Sequence, residues 1–214
     1  MGQRDLVAAW EQAFAAAGLP LAYSEGKRRT PQISLAAPLP QGVTSDWELG
    51  DMFFAERVAP DQAMKAATAH LPAGIAPVSV RELGAAGPSL QSQLRWAEYE
   101  VTVPAEGLAR DGVAGRIEEM LAAESLMAEY RRETKVRQYD LRPLIISIDI
   151  ESWDAQSFCL RMRLRAEPET TGRADQVLIA LGLPPATRIH RRRLYLEESQ
   201  PVVIAYRRSG EQDG

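Results

Sequence analysis

Two apolar alternations lie a short turn apart near the middle of the chain. Leu144, Ile146, Ile148 and Ile150 recur at every second residue, and Phe158, Leu160, Met162 and Leu164 repeat the pattern. A period of two is the signature of strands with one buried face, so Leu144–Glu151 and Gln156–Arg165 are expected to form a hairpin. Burying each large apolar side chain is worth about 1.5–3 kcal/mol, which requires helices over that face. The opposite face holds Asp149, Glu151, Arg161, Arg163 and Arg165, with Glu98, Glu100, Arg191 and Arg193 expected from neighbouring strands. Mixed charges at cross-strand positions make an ion ladder. No pair of exposed aromatics is expected there to stack bases, so the face reads as a solvated ladder before it reads as an RNA platform.

The elements around this hairpin follow a recognisable order. Before it come a strand at 95–103, a long helix near 107–125 and extended segments through Arg142; after it come a short helix at 174–181 and a strand at 187–197. This is βαββαβ. The first half reads as a helix from Arg4 to Ala17 with an apolar stripe, strands at 31–38 and 46–54, a helix from Pro60 to His70 and a strand at 75–83. That is the same series without its opening strand. Gly84-Ala85-Ala86-Gly87-Pro88 breaks the pattern as a linker. The expected fold is therefore α+β: tandem ferredoxin-like units at 1–86 and 87–200, the first lacking its opening strand, and a tail at 201–214. The missing strand points to a truncated start or to a strand supplied from elsewhere.

Composition narrows the chemistry more than it defines it. The 214 residues can bury one sizeable core or two small ones, and no run of about 18 apolar residues or signal-type start is present, so the expected setting is cytoplasmic with no membrane partner. The net charge is −4, and neither half is basic, so any contact with nucleic acid must come from patches. One cysteine, Cys159, excludes an internal disulfide, a zinc-thiolate site and an iron–sulfur cluster held by this chain alone. Cys159 lies mid-strand and reads as inert packing. His70 and His190 have no metal-ligand spacing, and no phosphate loop or nucleophile elbow occurs. No cofactor is expected.

Three basic stretches stand out in this acidic chain. Gly26 opens a turn whose tip is Lys27-Arg28-Arg29, and Pro31 then forces an extended entry into Ile33, Leu35 and Ala37. Three adjacent cations repel one another unless an anion lies near, which makes a phosphate contact or a solvated turn the two readings of the tip. Arg131, Arg132, Lys135, Arg137 and Arg142 form the second stretch, with Glu133 and Asp140 as internal partners. Arg188, His190, Arg191, Arg192 and Arg193 form the third, on or before the last strand. Structural pairing accounts for most such runs, and an anionic partner accounts for the rest.

Taken in order, several short motifs resemble those of the radical-SAM-linked domain family, a family of unknown function found at the C-terminus of cobalamin-binding radical SAM proteins or encoded beside them. The likeness rests on Leu19-Pro20-Leu21-Ala22-Tyr23-Ser24-Glu25-Gly26, Pro31-Gln32-Ile33-Ser34, Pro38-Leu39, Gly42, Glu48, Asp51, Asp140-Leu141-Arg142-Pro143-Leu144-Ile145 and Arg188-Ile189-His190-Arg191 before Leu194. Two departures accompany it. Family members usually carry Phe-Asn-Pro-Arg-Pro after the glycine, where this chain has Lys27-Arg28-Arg29-Thr30-Pro31, and they begin with a strand and a Ser-His-Leu-Asp stretch that has no counterpart before Arg4.

The resemblance implies a non-catalytic companion of a cobalamin-binding radical SAM protein. Family genes often neighbour those for ribosomal proteins and an RNase of the G/E type, which makes RNA the natural substrate, held by Lys27, Arg28, Arg29, Arg137, Arg142 and Arg191 as candidate phosphate contacts. The rival enzyme reading is an endoribonuclease of the tandem ferredoxin-like RNA-processing type, with His190 as general acid or base and Tyr139 assisting. A third reading, a pure protein-interaction module, needs no basic loops. Salt-dependent RNA binding separates the first two from the third, and loss of cleavage in His190→Ala separates the enzyme from the companion.

Overall fold

A computed structural model describes residues 2–27, 29–83, 88–132, 135–168, 170–197 and 205–207. In chain order the elements are α1 (Gln3–Ala16), β1 (Ile33–Leu35), β2 (Val43–Ser45), β3 (Gly50–Met52), α2 (Pro60–Thr68), β4 (Ala76–Ser79), α3 (Leu90–Gln93), β5 (Leu94–Pro104), α4 (Arg110–Ala122), β6 (Met127–Arg132), β7 (Lys135–Asp140), β8 (Ile145–Trp153), β9 (Ser157–Glu167), β10 (Thr170–Thr171), α5 (Ala174–Ala180), β11 (Arg188–Leu196) and β12 (Ala205–Arg207). The fold is mixed α+β, and its largest sheet has six strands. No helix among the described residues is long and apolar enough to cross a membrane. The chain divides into two units. One comprises Met1–Gln41, Ser45–Leu94 and Leu196–Gly214, and the other Gly42–Thr44 and Arg95–Tyr195. The linker expected at 84–87 lies outside the described residues.

The first unit is organised by the stripe on α1. Leu6, Trp10, Ala13 and Phe14 fall at helical spacing and are buried in a core with Leu21, Leu35, Met64, Ala67 and Ile75. Trp10 and Phe14 stack at 5.4 Å, and the edge of Phe54 meets Phe14 at 5.2 Å. Gly18 ends the helix with a φ of 67°, where an L side chain would be strained. The strands differ from their expected extents. β1 pairs antiparallel with β3, Ile33 opposite Met52, and β4 pairs with β12, so the described strands form two separate ladders. The single strand expected at 46–54 is reduced to β3, and part of the segment read as a tail supplies β12.

The second unit carries the long antiparallel sheet, with β11 next to β5, β5 next to β9, and β9 next to β8. Strands and helices alternate along the chain as β5-α4-β8-β9-α5-β11, with the β6–β7 ribbon inserted after α4. The buried residues include Ala97, Tyr99, Val101 and Val103 of β5, Val113, Ile117 and Met120 of α4, Phe158, Leu160, Met162 and Leu164 of β9, and Val177 and Leu178 of α5. The hairpin is present, but one expectation about its face requires correction. Ile146 is exposed, and Ile145, Ile148 and the preceding Leu144 take the buried places. The register slips between Ile145 and Ser147, so Ile146 occupies a bulge that has no partner on β9 and turns outward.

Candidate nucleic-acid interface

The loop between Tyr23 and Pro31 is closed by its own polar side chains. Tyr23 and Pro31 form an isolated antiparallel bridge, Ser24 N–H donates to the Thr30 carbonyl at 2.9 Å, and Thr30 N–H donates to Ser24 Oγ at 3.1 Å. The two hydroxyls also meet at 2.9 Å. Gly26 has a φ of 120°, which only glycine adopts without strain. Glu25, Gly26, Lys27 and Arg29 are thus held out from a locked base. Lys27 and Arg29 are exposed, and among the described residues neither takes part in an ion pair. Arg28 lies outside the described residues. Beneath the loop, the Tyr23 hydroxyl donates to Glu11 Oε1 at 3.0 Å. Desolvation and the Glu11 carboxylate raise the Tyr23 pKa, and the positive charge of Arg29 opposes them.

The open face of the second unit's sheet contrasts with this tip, because most of its cations are matched. Register places Glu98 opposite Arg163 and Glu100 opposite Arg161. Arg163 Nε meets Glu98 Oε2 at 3.0 Å, Arg161 pairs with Glu151, and Arg165 reaches Glu167 at 2.9 Å and the Pro143 carbonyl at 3.0 Å. Arg188 and Arg192 share Glu100, at 3.3 and 3.1 Å. Cys159 sits half-buried in this ladder, its thiol pKa raised first by burial and then by Glu100. The ladder accounts for most of the charge.

Two half-buried aromatics do lie on this face: Trp96 and Tyr195 stack on each other, with ring centroids 3.4 Å apart and planes 10° from parallel. Arg163 lies over Trp96 at 5.2 Å and Arg193 over Tyr195 at 5.4 Å. Trp96 stands two residues before Glu98, so strand alternation would have put it on this face. Tyr195 stands two residues after Arg193, so the same alternation along the last strand reaches it.

The remaining candidate residues are dispersed. Arg142 stands between β7 and β8, and its guanidinium donates to the Leu121 carbonyl in the last turn of α4 from Nε at 3.1 Å and from Nη2 at 2.7 Å, and to the Ile145 carbonyl from Nη1 at 2.9 Å. It is committed to backbone. Arg191 is 2% exposed, and His190 beside it is buried with Nδ1 2.7 Å from Thr44 Oγ1. Tyr139 is half-buried on β7, and burial raises its pKa. Arg137 lies on the same strand opposite Tyr130, and its side chain is outside the described part of the structure. Among the described residues no group of three His, Cys, Asp or Glu side chains is placed to hold a metal ion.

One buried acid lies apart from all of these. Asp51 on β3 is 7% exposed; its Oδ2 accepts the Leu90 N–H at 3.2 Å, and among the described residues its Oδ1 has no hydrogen-bond partner. Burial raises its pKa, and the Leu90 bond offsets part of that rise.

A family model described as "Uncharacterized protein conserved in bacteria (DUF2344)" matches residues 1–174. Among solved structures, a chain in the crystal structure of a Cbf5-Nop10-Gar1 complex is similar over 93% of this chain and 47% of its own, with 12% identity and a TM-score of 0.55. A chain in the crystal structure of the archaeal box H/ACA sRNP Nop10-Cbf5 complex is similar over 89% of this chain and 43% of its own, with 12% identity and a TM-score of 0.45. This chain therefore spans less than half the length of either, and at such identity the first likeness concerns the fold alone. No curated protein matches the chain.

Proposed function

This chain belongs to the DUF2344 family of proteins conserved in bacteria, and we propose that it is a non-catalytic, cytoplasmic companion that holds single-stranded RNA for a partner enzyme. The observation that carries the proposal is the contrast between its cations. On the open sheet face most of the arginines are matched to carboxylates or carbonyls, whereas exposed Lys27 and Arg29 stand on a locked loop with no ion pair among the described residues. Clustered charge on a rigid mount, left unmatched, suits an external anion.

The partner in this reading is a cobalamin-binding radical SAM protein. Its basis is the resemblance of the motifs around Gly26, Pro31 and Asp140 to the radical-SAM-linked domain, and the chain's one cysteine leaves the iron–sulfur cluster to the partner. The companion role is preferred to RNA cleavage by His190 because that ring is buried, with one nitrogen already at the Thr44 hydroxyl. The fold reading goes with it. The βαββαβ order of the second unit and the αββαβ series of the first support tandem ferredoxin-like units, the first without its opening strand.

The test is a salt titration of RNA affinity. Each phosphate contact contributes about 0.7 to the slope of log affinity against log salt for a single strand, so replacing Lys27, Arg28 and Arg29 by alanine should flatten the slope by about two. The loop is exposed and its base closes through Ser24 and Thr30, so the fold should survive. An unchanged slope would return the loop to a solvated turn.

A further inference from the structure

The aromatic stacks of this protein are of two kinds. Trp10 and Phe14 stack inside the core of the first unit, and Trp153 of the second lies on Phe158, which is itself buried. The stack of Trp96 on Tyr195 differs, because neither of its rings is buried. Alternation along β5 separates Trp96, Glu98 and Glu100 from the buried Ala97, Tyr99 and Val101, so Trp96 stands on the side away from the core. On β9 the register sets Arg165 across from Trp96 and Arg163 across from Glu98.

What surrounds these two rings is charged. Arg163 lies over Trp96 at 5.2 Å and Arg193 over Tyr195 at 5.4 Å, against 3.4 Å between the rings themselves. The guanidiniums therefore stand off the rings and do not form further layers of the stack. Both side chains reach water: that of Arg163 is 44% exposed while its Nε meets Glu98 at 3.0 Å, and Arg193 is exposed. Stacking hides one face of each ring, but part of the remaining aromatic surface stays toward solvent and gives no burial energy. A half-exposed π surface with cations beside it has the chemistry that a nucleotide needs, a ring for its base and positive charge for its phosphate.

We infer that the Trp96–Tyr195 stack is a platform on which an unpaired base of single-stranded RNA is held. The inference rests on the RNA-holding role proposed above and divides the work within it, with the loop at Lys27 and Arg29 taking phosphate and the stack taking a base. An incoming base adds a layer to the stack and moves aside the guanidinium on that side, whose charge then lies next to the adjoining phosphate. In a duplex both faces of a base are already stacked, which is why the platform selects a single strand. Every base has a π face, so the platform tolerates sequence.

Stacking and charge can be separated by the choice of strand. Binding of a fluorescein-labelled single-stranded oligouridylate is titrated against salt for the full chain, beside a strand of the same length that has the phosphates and no bases. Trp96→Leu, which keeps apolar bulk without a ring, should lower affinity for the oligouridylate at least about fivefold with its salt slope unchanged, and should leave binding of the baseless strand as it was. Trp96→Phe, which keeps a ring, should recover most of the loss, and Tyr195→Leu should repeat it. Equal losses on both strands would show that the substitution acts through charge or through the fold, and would overturn the platform. Undiminished oligouridylate binding in Trp96→Leu, with a slope still flattened by the loop variant, would overturn the platform while leaving the loop proposal standing. Failure of the unmodified chain to bind RNA at all would overturn both.

Discussion

Replacing Arg142 by alanine removes three hydrogen bonds from a charged donor to two backbone carbonyls, Leu121 in the last turn of α4 and Ile145 at the start of β8. The last four carbonyls of a helix have no partner within it, and a cation at that end also meets the negative pole of the helix dipole. Bonds to charged groups contribute about 1.5–3 kcal/mol each when fully formed, but Arg142 is half-buried and water can replace it in part at Leu121. Ile145 is a buried residue, and a carbonyl left unmatched there costs a further 1–3 kcal/mol or so. Arg142→Ala is therefore expected to destabilise the second unit by about 2–4 kcal/mol. With a urea m-value of about 2 kcal/mol/M, the midpoint of that unit's transition falls by about 1–2 M. Arg142→Lys should recover less than half, since one ammonium cannot reproduce a planar fork directed at two acceptors. The slope of RNA affinity against salt should stay as it is, in contrast to the loop variants. A midpoint shift below about 0.3 M, or a flattened salt slope, would refute the assignment of Arg142 to the backbone and return it to the phosphate contacts.

Two acids should respond to pH in opposite senses. Burial raises the folded-state pKa of Asp51 above its unfolded value, so its favourable contribution is complete below the ordinary carboxylate range and is lost as pH rises through the folded value. Asp51→Asn keeps an acceptor for the Leu90 N–H and should raise the melting temperature at pH 7, with the gain shrinking on acidification; an equal gain at low pH would contradict this. The pKa of Asp140 is lowered, chiefly by the Leu126 N–H, so its contribution is present above the ordinary range and is lost as pH falls through the folded value. Asp140→Ala should flatten the acid limb of the stability profile, and an unchanged limb in urea titrations from pH 6 downward would count against the cause assigned here.

The apolar stripe of α1, the strands β5, β8, β9 and β11, the helices α4 and α5, and the ion ladder between β5 and β9 were legible from the chain. Each depends on a local period, 3.6 for the helix and two for the strands, which dictates the buried side before any partner is known. The loop at Lys27 was legible for a similar reason, since Gly26 and Pro31 impose their geometry whatever surrounds them. Periodicity assigns a face but does not name the neighbour across it. The stack of Trp96 on Tyr195, the capture of Arg142 by Leu121 and Ile145, the Thr44–His190 contact and the pairing of β12 with β4 join residues distant in sequence or ends of separate elements. The bulge that turns Ile146 outward is a slip of one residue against β9, invisible in a strand read alone. A basic residue reads the same in the sequence whether it caps a helix, faces a carboxylate or stands free. The tertiary structure decided which arginines were already spent, because an ion pair or a carbonyl bond depends on distances of about 3 Å that only the folded chain sets.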